Sequence, residues 1–195
     1  MNQIDKRPES FALGRFHFLV SEGDLSRVQE FITGKSSKTG APHPSVSCNA
    51  QDQDGFSAVH WAAIKGQLEI MKYLLEGAPE ISRGNPSLPD NNGWTPIMWA
   101  IHVVETSGKD YGKRRKACEV INYLVTFPAV KSHMRVPDKL LLRNPQELAL
   151  EAARQTDQGI LAAMKNQFDG HKFYAPLKEA DDASEGGGHQ DDDAM

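Results

Sequence analysis

At 195 residues, 39% hydrophobic and 25% charged, with a formal net charge of −4, the chain has the make-up of one ordinary globular domain. No apolar run approaches the roughly 18 residues that a membrane helix needs, and Met1–Gly14 has no secretory pattern, so a soluble protein with no membrane contact is expected. Two cysteines, Cys48 and Cys118, are too few for a disulfide framework and suit a reducing compartment, which predicts a cytoplasmic setting with the nucleus also open.

Residues 1–10 are polar and read as a flexible lead-in. From Phe11 the pattern changes. Phe16, Phe18, Leu19 and Val20 precede Glu22-Gly23-Asp24, after which Leu25, Val28, Phe31 and Ile32 recur at helical spacing, so residues 11–33 predict two helices about a glycine break. Thr33 to Ser47, with Gly34, Gly40, Pro42 and Pro44, lacks periodicity and reads as an extended connector.

Residues 49–77 carry the fullest pattern in the chain. A tight turn at Asp54-Gly55 leads to an apolar helix from Ser57, a glycine break at Gly66 and a second amphipathic helix ending at Gly77. This stretch resembles the ankyrin repeat, whose turn, T-P-L-H-x-A helix, glycine and second helix all have counterparts here, with Ser57-Ala58-Val59-His60-Trp61-Ala62 at the helix start. The resemblance implies an all-α solenoid of stacked helix-turn-helix units with hairpin-like loops. One such unit cannot bury its own apolar face, so neighbours must stack on it. Setting Gly23 over Gly66 brings His17 onto His60, Phe18 onto Trp61, Leu25 onto Leu68, Val28 onto Met71 and Phe31-Ile32 onto Leu74-Leu75. Residues 11–33 are therefore expected to be a degenerate N-terminal cap.

Ala78 to Pro89 is a second loop, which stretches the interval from Ser57 to Thr95 to 38 residues, against roughly 33 in the family. Asp90-Asn91-Asn92-Gly93-Trp94-Thr95-Pro96 restarts the motif over residues 90–127, with Thr95 suited to cap a helix and Pro96 to its first turn. An insertion of about 12 residues, containing Ser107–Lys116, is expected to form a loop on one face, the second helix resuming near Cys118. Residues 138–167 open on Asn144-Pro145 and read as a C-terminal cap, closing a repeat domain over 11–168. Residues 169–177 are expected to pack back on the last helix. The last 18 residues, 178–195, carry −6 against +2 for the body, and predict a disordered acidic tail.

His60 is read as a structural hydrogen-bonding residue that ties its helix start to the neighbouring turn. Phe18, Trp61, Trp99 and Leu148 fall at equivalent positions and are expected to form one packed column in the core. Phe56 and Trp94 each follow a turn glycine, where the resemblance implies a side chain pointing from a finger loop toward a concave groove. They are expected to bury little of themselves and to bind a partner, since large exposed aromatics dominate interface hot spots. Gln53, Asp54, Asn91 and Asn92 on the fingers and Ile64, Lys65, His102 and Val103 at the helix ends complete that expected face.

Lys113, Arg114, Arg115 and Lys116 form a secondary basic patch, open to reading as a nuclear-import signal, a phosphate or nucleic-acid site, or a solvated helix start. Four bases without an interleaved aromatic surface neutralise few phosphates, so nucleic acid is not the expected partner. The acidic tail is open to docking on this patch, competing with an acidic partner, shielding a basic client or simply solubilising. There is no Gly-rich phosphate loop, metal-ligand spacing or nucleophile elbow, so no catalytic residue, metal or cofactor is expected.

The resemblance implies a monomeric, non-catalytic module for protein–protein interaction, as an adaptor, a dedicated chaperone or an assembly subunit. Two alternatives stay open: a nuclear or nucleic-acid-associated regulator using the basic insertion, and a bacterial effector that binds a host protein.

Overall fold

A computed structural model describes residues 7–36, 39–40, 45–134 and 148. Helix α1 spans Arg7–Glu22 and α2 Leu25–Thr33, with Gly23 at φ +86° between them. Asp24 caps α2 by accepting from the Arg27 N–H at 3.1 Å. Helix α3 covers Ala58–Lys65 and α4 Leu68–Lys72, the latter running on as a π-helical turn over Tyr73–Gly77 that closes with Ala78 N–H on Tyr73 O at 2.7 Å. A short 3₁₀ turn, Glu80–Ser82, follows. Helix α5 spans Pro96–Thr106, α6 Tyr111–Leu124 and α7 Pro128–His133.

The helices pair as α1/α2, α3/α4 and α5/α6, and α3 lies between α1 and α5. One layer is thus α1, α3 and α5, and the other is α2, α4 and α6. Between the layers Phe16, Val20, Val28, Ala62, Met71, Leu74, Ile101, Val120, Ile121 and Leu124 are fully buried, each pair covering the apolar face of the next. Among the described residues there is no strand, and no helix is long and apolar enough to cross a membrane.

Gly66 shows why the layers come so close. It sits at φ +66°, and a Cβ built there would stand 2.6 Å from the Lys116 Cβ of α6. Only glycine leaves that room.

The long loop after α4 is tied down. The Asn49 side chain donates to Arg83 O at 2.9 Å and accepts from Asn85 N–H at 2.6 Å, while the Gly84 N–H donates to Leu74 O at 2.8 Å. The extra residues of the 38-residue interval fold back on the repeat.

Three expectations change. The lead-in, expected to run through residue 10, ends earlier, because α1 already begins at Arg7. The insertion is a loop only over residues 107–110 and otherwise helical: α5 has 11 residues where α3 has 8, and α6 starts at Tyr111, well before Cys118. Asp110 nucleates that start by accepting from the Lys113 N–H at 2.9 Å, and Lys and Arg, good helix formers, continue it. The expected core column fails at its first member. Phe18 is 60% exposed, and Trp61 and Trp99 are half-buried, whereas Leu148 is buried. In α1 helical turns stand where the later units have a finger loop, so among the described residues no finger covers Phe18. The rest of the predicted cap at 138–167, the segment at 169–177 and the acidic tail lie outside the described residues.

Candidate partner-binding face

Two finger loops are wired alike. In the first, Asp52 accepts at Oδ1 from the N–H groups of Asp54 and Phe56, at 3.1 and 2.8 Å, and its own N–H donates to Phe56 O at 3.0 Å. In the second, Asp90 Oδ1 accepts from Asn92 and Trp94, at 2.9 and 2.8 Å, and the Asp90 N–H reaches Trp94 O at 2.9 Å. Such Asx turns need a left-handed residue to close, and Gly55 and Gly93 supply it at φ +86°. The other carboxylate oxygen holds a tryptophan nine residues on. Trp61 Nε1–H donates to Asp52 Oδ2 at 3.3 Å, and Trp99 Nε1–H to Asp90 Oδ2 at 3.0 Å.

The fingers are also joined to each other. Asn91 donates from its backbone to Asp54 O at 3.2 Å and from its side chain to Gln53 O at 2.8 Å. A Cβ on Gly55 would fall 2.5 Å from the Asn91 nitrogen. Beneath them His60, fully buried, accepts at Nδ1 from the Ser57 N–H at 3.1 Å. Its Nε2 must then carry the hydrogen and donate to Trp94 O at 3.1 Å. Burial pushes its pKa below the usual range, which suits that neutral tautomer. This is the tie expected of His60. Thr95 precedes α5 as expected, but its hydroxyl makes no hydrogen bond among the described residues, leaving Pro96 to open the helix.

These bonds set one aromatic ridge across two repeats. The Phe56 ring stands 5.6 Å from Trp61 and 5.2 Å from Trp99, edge-on to both. Trp99 lies 4.9 Å from Trp94, and His102 closes the row 5.6 Å from Trp94 and 5.8 Å from Trp99. At the other end His17 lies 6.3 Å from Trp61, its Nδ1 3.4 Å from Asp52 Oδ2. Burial lowers the His17 pKa against the opposing pull of Asp52.

The expected site residues divide. Gln53, Asp54, Asn91, Asn92 and Lys65 are exposed, and Phe56, Ile64 and His102 half-buried. Trp94 is not the projecting side chain expected: it is only 9% exposed, because its ring is packed beneath Trp99 and His102. Val103, at 6%, faces the core rather than the groove. Trp61 and Trp99, read as core, do pack against it but are only partly buried and keep some surface in solvent. The repeated spacing Asp-x-x-Gly-aromatic, followed by Trp nine residues after the Asp, was the available signal for them.

The basic patch lies elsewhere, on the first turns of α6. Lys113, Arg115 and Lys116 are exposed, while Arg114 sits 5.7 Å over the Tyr111 ring and donates to Gly108 O.

Residues 16–111 match the family model for ankyrin repeats in three copies. The chain is 35% identical over 87 residues to the 26S proteasome non-ATPase regulatory subunit 10 of Dictyostelium discoideum, covering 45% of this chain and 32% of that protein. It is 31% identical over 78 residues to protein phosphatase 1 regulatory subunit 27 of Mus musculus, covering 40% and 42%. It is 43% identical over 61 residues to Caskin-2 of Xenopus laevis, covering 29% and 5%. The chain thus spans less than half the length of each of these relatives.

Proposed function

We infer from a chain whose residues 16–111 are ankyrin repeats that it works as a protein-interaction module, and that its partner lies along the ridge of Phe56, Trp61, Trp99 and His102. Ankyrin repeats suggest protein–protein interaction, and two of the relatives are named as regulatory subunits. No catalysis is assigned to it. The observation that carries the reading is that the partly exposed rings of Trp61 and Trp99, from two repeats, stand in one row about Phe56, each held by a hydrogen bond to a finger carboxylate. Aromatic side chains fixed in place lose little entropy on binding and dominate interface energetics. Gln53, Asp54 and Asn92 supply a polar rim.

The test is affinity capture with the intact chain and with a Gln53→Ala/Phe56→Ala variant, both first checked for fold by circular dichroism. A partner on this face loses at least about 2 kcal/mol of affinity in the variant, as a hot spot requires. A partner retained equally by both places binding elsewhere, with the first turns of α6 as the next surface to test.

A further inference from the structure

We propose that the segment seated on this ridge is an extended peptide bearing arginines two or three residues apart, whose guanidinium groups stack on Trp99 and Trp61 and bond the Asp54 carboxylate. This rests on the reading of the ridge as the partner face and names what that face selects.

The first argument is charge held behind the rings. Each indole N–H donates to a carboxylate, Trp61 to Asp52 and Trp99 to Asp90. Neither carboxylate has a lysine or arginine partner among the described residues. Among the described residues the Asp90 carboxylate, which is buried, accepts only from N–H groups, and the one titratable base beside Asp52 is His17, whose charged form burial disfavours. An aromatic face is already negative by its quadrupole, and an acceptor on the indole N–H adds to that. Two such rings attract a cation.

The second argument is Asp54. It is exposed at the finger tip two residues before Phe56, and its carboxylate makes no hydrogen bond or ion pair among the described residues. It is therefore available to a planar fork of N–H donors, which is what separates guanidinium from ammonium.

The third is spacing and local charge. Phe56 separates the two tryptophans by a single ring, and an extended chain advances about 3.3 Å per residue, so arginines two or three apart reach both. The two stations differ. Lys65, one helical turn after Trp61, opposes a cation there, whereas Glu105 lies beside His102 at 3.5 Å on the Trp99 side. Trp99 is the stronger station.

Of the chain's three tryptophans, Trp61 and Trp99 lie on this ridge and Trp94 packs beneath it, so the indole N–H resonances report the face at two positions, with a buried neighbour for comparison. The probe is a blocked Gly-Arg-Gly-Arg-Gly peptide titrated into the isotopically labelled full chain at low salt, with lysine, glutamate and leucine versions alongside. The arginine peptide is expected to shift the Trp99 indole most, with Kd below about 1 mM, and the lysine version to bind about threefold more weakly or worse. Asp54→Asn weakens and Lys65→Glu strengthens arginine binding, each about two- to fivefold. Equal binding of lysine and arginine, no effect of either substitution, or no indole shift up to about 5 mM arginine peptide overturns the proposal. If the leucine peptide shifts the indoles and the arginine peptide does not, the face stands and the cation falls. If a captured partner is indifferent to Gln53→Ala/Phe56→Ala, the face itself falls and the arginine with it.

Discussion

Phe56 and Trp99 meet edge to face, 5.2 Å apart at 68°, across the junction between two repeats. Phe56 belongs to a finger and Trp99 to the next repeat's helix, so one ring contact serves both the stack and the exposed ridge. Trp94, whose place in the motif matches that of Phe56, is buried instead.

That difference predicts that substitutions at Trp94 and at Phe56 separate stability from affinity. Trp94→Ala removes a buried aromatic and is expected to cost about 3–5 kcal/mol of stability, whereas half-buried Phe56→Ala costs about 1–3 kcal/mol. In partner affinity the order reverses when Phe56→Ala is compared with the conservative Trp94→Phe. Urea unfolding and binding on the same preparations check both halves.

Stability should fall as the solution is acidified through the histidine range. Burial holds the His60 and His17 pKa values below about 6.5, so the unfolded chain binds more protons in that window and protonation favours it. The stabilisation is complete above about pH 6.5 and declines below it, toward the lowered folded values. Thermal midpoints at pH 7.5 and 5.5 measure the loss. His60→Gln is expected to lower the midpoint at pH 7.5 and to flatten its pH dependence.

Two glycines with positive φ make a controlled pair. Gly40 has φ +66° and, among the described residues, nothing within 4 Å of its Cβ position, so Gly40→Ala is expected to bear only left-handed strain of about 1–2 kcal/mol. Gly55→Ala adds a clash with the Asn91 backbone and severs the joint between the fingers. It is expected to cost at least about 1 kcal/mol more than Gly40→Ala in chemical unfolding.

The two thiols should differ in reactivity. Cys48 is fully buried, with its pKa pushed up to about 12, while Cys118 is half-buried on α6. A thiol reagent at pH 8 is expected to label Cys118 well before Cys48 in the native chain, with both equal in denaturant. Labelling followed in the single variants Cys48→Ala and Cys118→Ala resolves the two rates.

Much of the architecture was legible because the helix breaks rest on local chemistry. Glycines at 23 and 66, an aspartate before each turn and proline at the start of α5 all do what their covalent structure dictates. The insertion misled because length beyond the family period suggests a loop, whereas Asp110 with a run of Lys and Arg makes a helix start. The site was half legible. A tryptophan in a packing position and one after a turn glycine look alike in sequence, and what distinguishes Trp61 and Trp99 is an Asp nine residues earlier whose carboxylate accepts from the indole N–H. No single-residue propensity registers a bond between residues 52 and 61.

The spans of these hydrogen bonds also set an order of assembly. The bonds that build a finger and hold its tryptophan close over nine residues or fewer, while those that join one repeat to the next, from His60 to Trp94 and from Asn91 to Gln53, span 34 and 38. Short closures cost less entropy and form sooner. The local bonds of residues 52–66 are thus expected to close before those to the following repeat, and the ridge is complete only once that repeat has stacked on them.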